Sequence, residues 1–231
     1  MKKYLSFLLA CVLVLGALSG CSSSGNDAAE TPEPAVTEPA QETTPDAAET
    51  PEAAEFTRGT VTDGVYTNDF AAIAFAIPDG WIVADDDTIT QIMGAGTSFV
   101  SDDPEQLQAT LEAGSAIDML AYDEATGENI TVTYEDLTGK VLASSLTEKA
   151  YITLAANSLS SLGNMSAEIT SGDYVTLGGQ QYYKAILATT YTDYDMTVDL
   201  YYYVRLVGPV AAVISGQSDL DACFLEYTPG A

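Results

Sequence analysis

The run Met196–Val207, MTVDLYYYVRLV, constrains the fold more than any other part of the chain. Val198, Leu200, Tyr202, Val204 and Leu206 fall on one side of an extended backbone, and Asp199, Tyr201, Tyr203 and Arg205 fall on the other. Side chains alternate across a strand with a period of two, so so long a pattern reads as a strand in a sheet. Its neighbours read the same way. Tyr182–Tyr191 pairs with it through a turn near Asp193-Tyr194, and Gly208-Pro209 turns the chain into Val210–Ser215. Met165–Ser171 and Tyr174–Leu177 add two more strands before Gly178-Gly179.

Upstream, Ile117–Asp123 and Asn129–Asp136 form a hairpin around Thr126-Gly127. In its second strand Ile130, Val132 and Tyr134 alternate with polar residues, one face in and one out. Ile73, Phe75 and Ile77 mark a short strand that Pro78-Asp79-Gly80 ends. Helices intervene. Asp85, Asp86 and Asp87 can cap and charge the start of a short one. Asp103-Pro104 opens a second that carries Leu107 and Leu111. Ser145 and Glu148 fit a capping box for the longest, whose stripe is Tyr151, Leu154, Ala155, Ser158, Leu159 and Leu162, with Gly163 at its end. Ser218-Asp219 starts a closing helix through Phe224. The expected class is α+β: a largely antiparallel sheet with helices packed on it.

The order of elements and the stretch YTNDFAAIAFAIPDGW resemble the Mog1/PsbP-like family. The matching positions are Tyr66, Asn68, Phe75, Pro78, Gly80 and Trp81; LGGQQYYKA is similar to the family's glycine turn between long strands. The likeness spans roughly residues 60–227 and implies an α-β-α sandwich: α+β, with a central, mostly antiparallel sheet packed by helices on both faces. It carries over no catalytic residue, and fold analogy is not a functional argument.

Ahead of this domain the chain changes character twice. Lys2 and Lys3 precede an uncharged apolar run from Leu5 to Leu18, and Leu18-Ser19-Gly20-Cys21 follows. That run is shorter than the ~20 residues a membrane-spanning helix needs and has the flanks of a signal peptide. LSGC resembles the lipobox of bacterial lipoproteins. The resemblance implies that residues 1–20 are a signal peptide and that Cys21 receives a diacylglyceryl lipid and begins the mature chain. Two acyl chains suffice for stable anchoring, at ~0.8 kcal/mol per buried CH2. Residues 21–58 then read as the lipidated cysteine and a disordered tether. Pro32, Pro34, Pro39, Pro45 and Pro51 are interleaved with acids and almost no bulky apolar residue. Extended, such a segment reaches on the order of 100 Å. Residues 59–231 make the single folded domain.

Of three cysteines, Cys11 would leave with the leader and Cys21 would be acylated. Cys223 is then left without an intramolecular partner and reads as a small buried hydrophobe.

Charge and composition narrow the function. The chain of 231 residues has a formal net charge of -27, with 34 acids against seven Lys and Arg. Nucleic acid binding, which neutralises phosphates with cations, is excluded on that balance. The absence of histidine excludes Ser-His-Asp and Cys-His catalysis and His-ligated zinc. Asp85, Asp86 and Asp87 are weak calcium candidates, because calcium takes 6–8 oxygens around a point and adjacent capping residues do not converge. The expected metal set is therefore none, with no cofactor beyond the lipid on Cys21. Tyr201 and Tyr203, sharing a face with Tyr183 or Tyr191, are the candidate partner-binding surface, as tyrosines often are at interfaces.

The expected function is a non-catalytic, lipid-anchored lipoprotein on the outer face of the bacterial cytoplasmic membrane. Its domain would act as an interaction or accessory module toward an envelope protein or wall polymer. The alternatives are a solute-binding component of a transporter, which would need two lobes, and a small carboxylate-dependent cell-wall hydrolase, which would need a cleft with converging acids.

Overall fold

The alternation in Met196–Val207 builds the strand it implies, and that strand lies inside a seven-stranded sheet. The computed structural model describes residues 56–93, 115–138, 146–161 and 163–230. The leader, Cys21, residues 22–55 of the expected tether, the helix expected at Asp103-Pro104, and Ser145 and Leu162 lie outside the described residues. In chain order the described elements are β1 (Thr60–Thr62), β2 (Val65–Asn68), β3 (Ile73–Ala76), β4 (Ile82–Val83) and α1 (Asp86–Met93). They continue with β5 (Ser115–Tyr122), β6 (Asn129–Asp136), α2 (Glu148–Ser161), β7 (Met165–Leu177), β8 (Gln180–Tyr191), β9 (Met196–Val207) and β10 (Val210–Gly216). A single 3₁₀ turn, Asp221–Cys223, follows.

The large sheet runs β4-β5-β6-β10-β9-β8-β7, and β1-β2-β3 form a separate small sheet. Every pairing in both is antiparallel. The small sheet begins with Asp63-Gly64, a two-residue turn in which both residues have positive φ, 50° and 77°. That geometry matches the twist of a hairpin, and Asp-Gly supplies it at low cost.

Each face of the large sheet has its own core. On one, Tyr151, Ile152, Ala155 and Leu159 of α2 pack on Leu187, Leu200, Tyr202, Val204, Ala211 and Val213. Ile89 of α1 packs on Ile117 and Leu120. Ile117 pairs with Thr133, which pairs with Val213, so α1 lies on the same face as α2. On the other face the small sheet supplies Tyr66, Ile73 and Phe75, which pack with Tyr134, Tyr182, Tyr203 and Ile214.

This corrects the expected class. The described chain is mostly β, and the α+β sandwich with helices on both faces does not form. Both described helices lie on one face. A second sheet and the C-terminal turn occupy the other. The physical reason lies in Val65–Asn68 and Ile73–Ala76. They pair with each other through the Asp69–Ala72 turn, so their apolar side is free to roof the large sheet.

Smaller differences have local causes. The expected closing helix is one 3₁₀ turn, because Cys223 N–H reaches only back to Leu220. The two strands expected between Met165 and Leu177 are one, with a bulge between Ile169 and Ser171. The polar side of β6 is not solvated: Asn129, Thr131, Thr133 and Glu135 are all buried, on the face that carries α1 and α2. Helix α2 is capped by Thr147, whose Oγ1 accepts the Ala150 N–H at 3.2 Å. It buries Ile152 and Ala156 where Leu154 was expected, and Leu154 is exposed.

Candidate functional site

Three groups of polar side chains stand out among the described residues: a buried clasp, a surface lock and an exposed stretch of sheet. The clasp starts with a bulge in β5 between Ile117 and Met119. The extra residue turns Asp118 and Met119 toward the same side, where alternation would have separated them. Asp118 is thereby carried into the layer beneath the small sheet and is 5% exposed. Its carboxylate accepts the Gly59 N–H at 2.9 Å, the Tyr66 hydroxyl and, at 3.4 Å, the Asn68 amide. Arg58 Nε stands 3.8 Å away. Tyr66 and Tyr134 hydroxyls are 3.1 Å apart. The Arg58 guanidinium also forks onto Asp86 at 2.6 and 3.0 Å.

Burial pushes the Asp118 carboxyl above its ordinary value even against these donors. Burial likewise drives the Tyr66 and Tyr134 phenols well above theirs. A carboxylate ringed by donors and closed from solvent ties segments together. Here it joins the start of the domain, the small sheet, β5 and α1.

Lys184 makes the lock. Its Nζ lies 2.7 Å from Asp219 Oδ2 and 2.7 Å from Asp221 Oδ1. It also sits over the rings of Tyr201 and Tyr203, at 5.9 and 5.5 Å. Burial alone would lower the ammonium's pKa; the two carboxylates outweigh it and hold it above the usual value. Tyr203 accepts the Leu220 N–H at 2.8 Å and donates to Asp219 at 3.2 Å. The lock therefore pins the C-terminal segment across β8 and β9.

The third place is where β7, β8 and β9 extend past the small sheet. Registered rows cross it: Ser166–Thr190–Thr197, Glu168–Ala188–Asp199 and Ser171–Ile186–Tyr201. Ser166, Glu168, Ser171, Thr197 and Asp199 are exposed, and Ile186, Ala188 and Tyr201 are half-buried. The opposite face of the same strands carries α2.

The candidate residues are thus separated. Tyr201 lies on this uncovered face, half-buried. Tyr203 is fully buried beneath Leu220 and Phe224, so its ring offers no surface to a partner. Tyr183 and Tyr191 belong to the helix-side core, away from both. Asp85 accepts the Thr88 N–H at 2.8 Å as the cap of α1, Asp86 is held by Arg58, and Asp87 is exposed. The three do not converge, and no group of three or more His, Cys, Asp or Glu suited to a metal ion occurs among the described residues. Cys223 is a free, half-buried thiol whose pKa burial raises. Asp118 was missed from sequence; its signal is an acid inside the apolar run AIDMLAY.

These features define a mostly β domain of two antiparallel sheets, with the described helices on one side. No family model matches the chain, and no curated protein matches it significantly. Among solved structures it is similar to the solution structure of cyanobacterial PsbP (CyanoP) from Synechocystis sp. PCC 6803. The two share 16% identity and a TM-score of 0.44, over 74% of this chain and 86% of that one. A structural neighbour of the chain is thus a PsbP-like protein.

Proposed function

We propose that the protein is a lipid-anchored, extracytoplasmic lipoprotein of the bacterial envelope whose folded domain is a non-catalytic interaction or accessory module. The observation that carries this reading is Cys21 at the end of a Lys-Lys, apolar, Leu-Ser-Gly leader. The acidic, proline-rich residues 22–55 would hold the domain away from the outer face of the cytoplasmic membrane. The domain supports the second half. Its buried acids are engaged in packing: Asp118 in the clasp, and Glu135 accepting the Tyr151 hydroxyl at 2.7 Å. What remains for a partner is surface, and the exposed face of β7–β9 is part of it.

The test is metabolic labelling with a fatty-acid analogue in the native host. The wild-type chain takes up the label and is cut before residue 21. Cys21→Ala takes up none and accumulates with its leader attached. Normal cleavage of that variant, or an unlabelled wild type, would remove the anchoring half of the proposal.

A further inference from the structure

We propose that the uncovered face of β7–β9 docks a basic segment of another envelope protein, one that presents Lys or Arg around an apolar residue. The inference rests on the reading of the domain as an interaction module and names the chemistry of its partner. Three observations carry it.

The first is layering. Strands β7, β8 and β9 carry α2 on one face, whereas on the other the core formed by the described residues takes in Tyr182 and Tyr203 and only part of Tyr201. Beyond that line the side chains of Glu168 and Asp199 are exposed.

The second is the pattern within the patch. Glu168 and Asp199 flank Ala188 in one row, two strand spacings or about 10 Å apart. Ile186 and Tyr201 form the centre of the next row. A small apolar centre between separated carboxylates fits an apolar side chain with a cation on each side. It does not fit a single metal ion, which needs its oxygens gathered around a point.

The third is charge. Lys184, at the margin of the patch, is already held by Asp219 and Asp221. Pairing with a second copy would set Glu168 and Asp199 against like charge, and the chain's own acidic tether meets the same repulsion. The complement of this face is a cationic segment.

The probe is a short synthetic amphipathic peptide of leucine and lysine, with a glutamate-for-lysine version as its counterpart. Binding to the full chain in neutral detergent is read by fluorescence anisotropy. The lysine peptide binds, more weakly as salt rises, and the glutamate peptide does not. Glu168→Gln with Asp199→Asn weakens binding about tenfold, the sum of two modest surface pairs. Ala188→Arg, which adds a like charge on the half-exposed centre, does the same. Glu124→Gln with Glu226→Gln removes the same charge from exposed sites elsewhere and changes binding less than about twofold. No binding of the lysine peptide, or equal losses from the two double variants, overturns the proposal.

The natural occupant is then captured by a photo-crosslinking residue placed at Thr197 in cells. The expected crosslinked peptide is a Lys- or Arg-bearing segment of another protein. A second copy of this chain, a wall glycan or an acidic or uncharged segment overturns the proposal. Failure here with Cys21 acylation intact removes the docking face and leaves the anchored lipoprotein. Loss of acylation with peptide binding intact does the reverse.

Discussion

Asp118 is a residue whose ionisation is tied to the fold. Burial raises its pKa above the unfolded value, so the native state holds that proton more firmly than the unfolded chain. The stability linked to it is fully present below the ordinary carboxylate value and is lost as pH rises through the folded value. Asp118→Asn cannot titrate. The stability advantage of wild type over this variant is therefore largest in acid, shrinks with rising pH and then levels off. Denaturant unfolding of both chains across a pH series measures it. An advantage that grew with pH would mean that the donors from Gly59, Tyr66 and Asn68 outweigh burial. Gly178 makes a second test at this scale. Its φ is +56°, and a Cβ there would run into the Leu225 carbonyl, whereas Gly179 at φ +78° faces open space. Gly179→Ala pays the left-handed backbone alone, about 1 kcal/mol. Gly178→Ala adds a backbone clash and costs on the order of 3 kcal/mol. Equal melting points for the two variants would show that the C-terminal segment moves aside freely.

Elements were legible where periodicity was long and illegible where one residue broke it. Strand β9 has both its faces correctly divided by alternation, and the hairpin β5–β6 falls within two residues of its expected ends. The bulges in β5 and β7 were not legible, because an extra residue leaves the composition of a strand unchanged and alters only its phase. The β7 bulge has a use at a sheet edge: it interrupts a long strand that could otherwise pair with another chain. Helix α2 shows the same limit from the other side. Its existence follows from pattern, but its stripe is rotated, since Tyr151 must reach Glu135 and Ile152 fills the core beside it. Its start also moved to Thr147. Thr147→Ala should cost about 1 kcal/mol of stability in denaturant titration, the usual loss for an N-cap. No loss would place the cap elsewhere.

At the scale of the molecule, what pattern could not convey was which layer lies on which. A four-residue strand such as Ile73–Ala76 fits the main sheet or a separate one equally well; only pairing with Val65–Asn68 decides it. The same holds for the site. Tyr201 and Tyr203 are two residues apart on one face of one strand, yet the end of the small sheet and Leu220 fall between them, covering one ring and leaving the other half-open. That cover is fastened from the C-terminus. Leu225 N–H donates to Ala74 O at 3.0 Å, and the Phe224 ring meets Phe75 edge to face at 5.3 Å between centroids and leans against Tyr182 and Tyr203 at 5.0 and 5.1 Å. Phe224 thus joins the small sheet to the large one, while the core under α2 makes no use of it. Phe224→Ala should lower stability by about 2 kcal/mol, less than a fully buried phenylalanine because this ring is half-exposed. Hydrogen exchange should then localise the damage. Amides of β2 and β3 should exchange faster by a larger factor than those of β8 and β9, because the roof can lift without unpairing the sheet beneath it. Uniform acceleration across both sheets would mean that the two cores open only together, and Phe224 would then be a keystone of the whole domain instead of the latch on one layer.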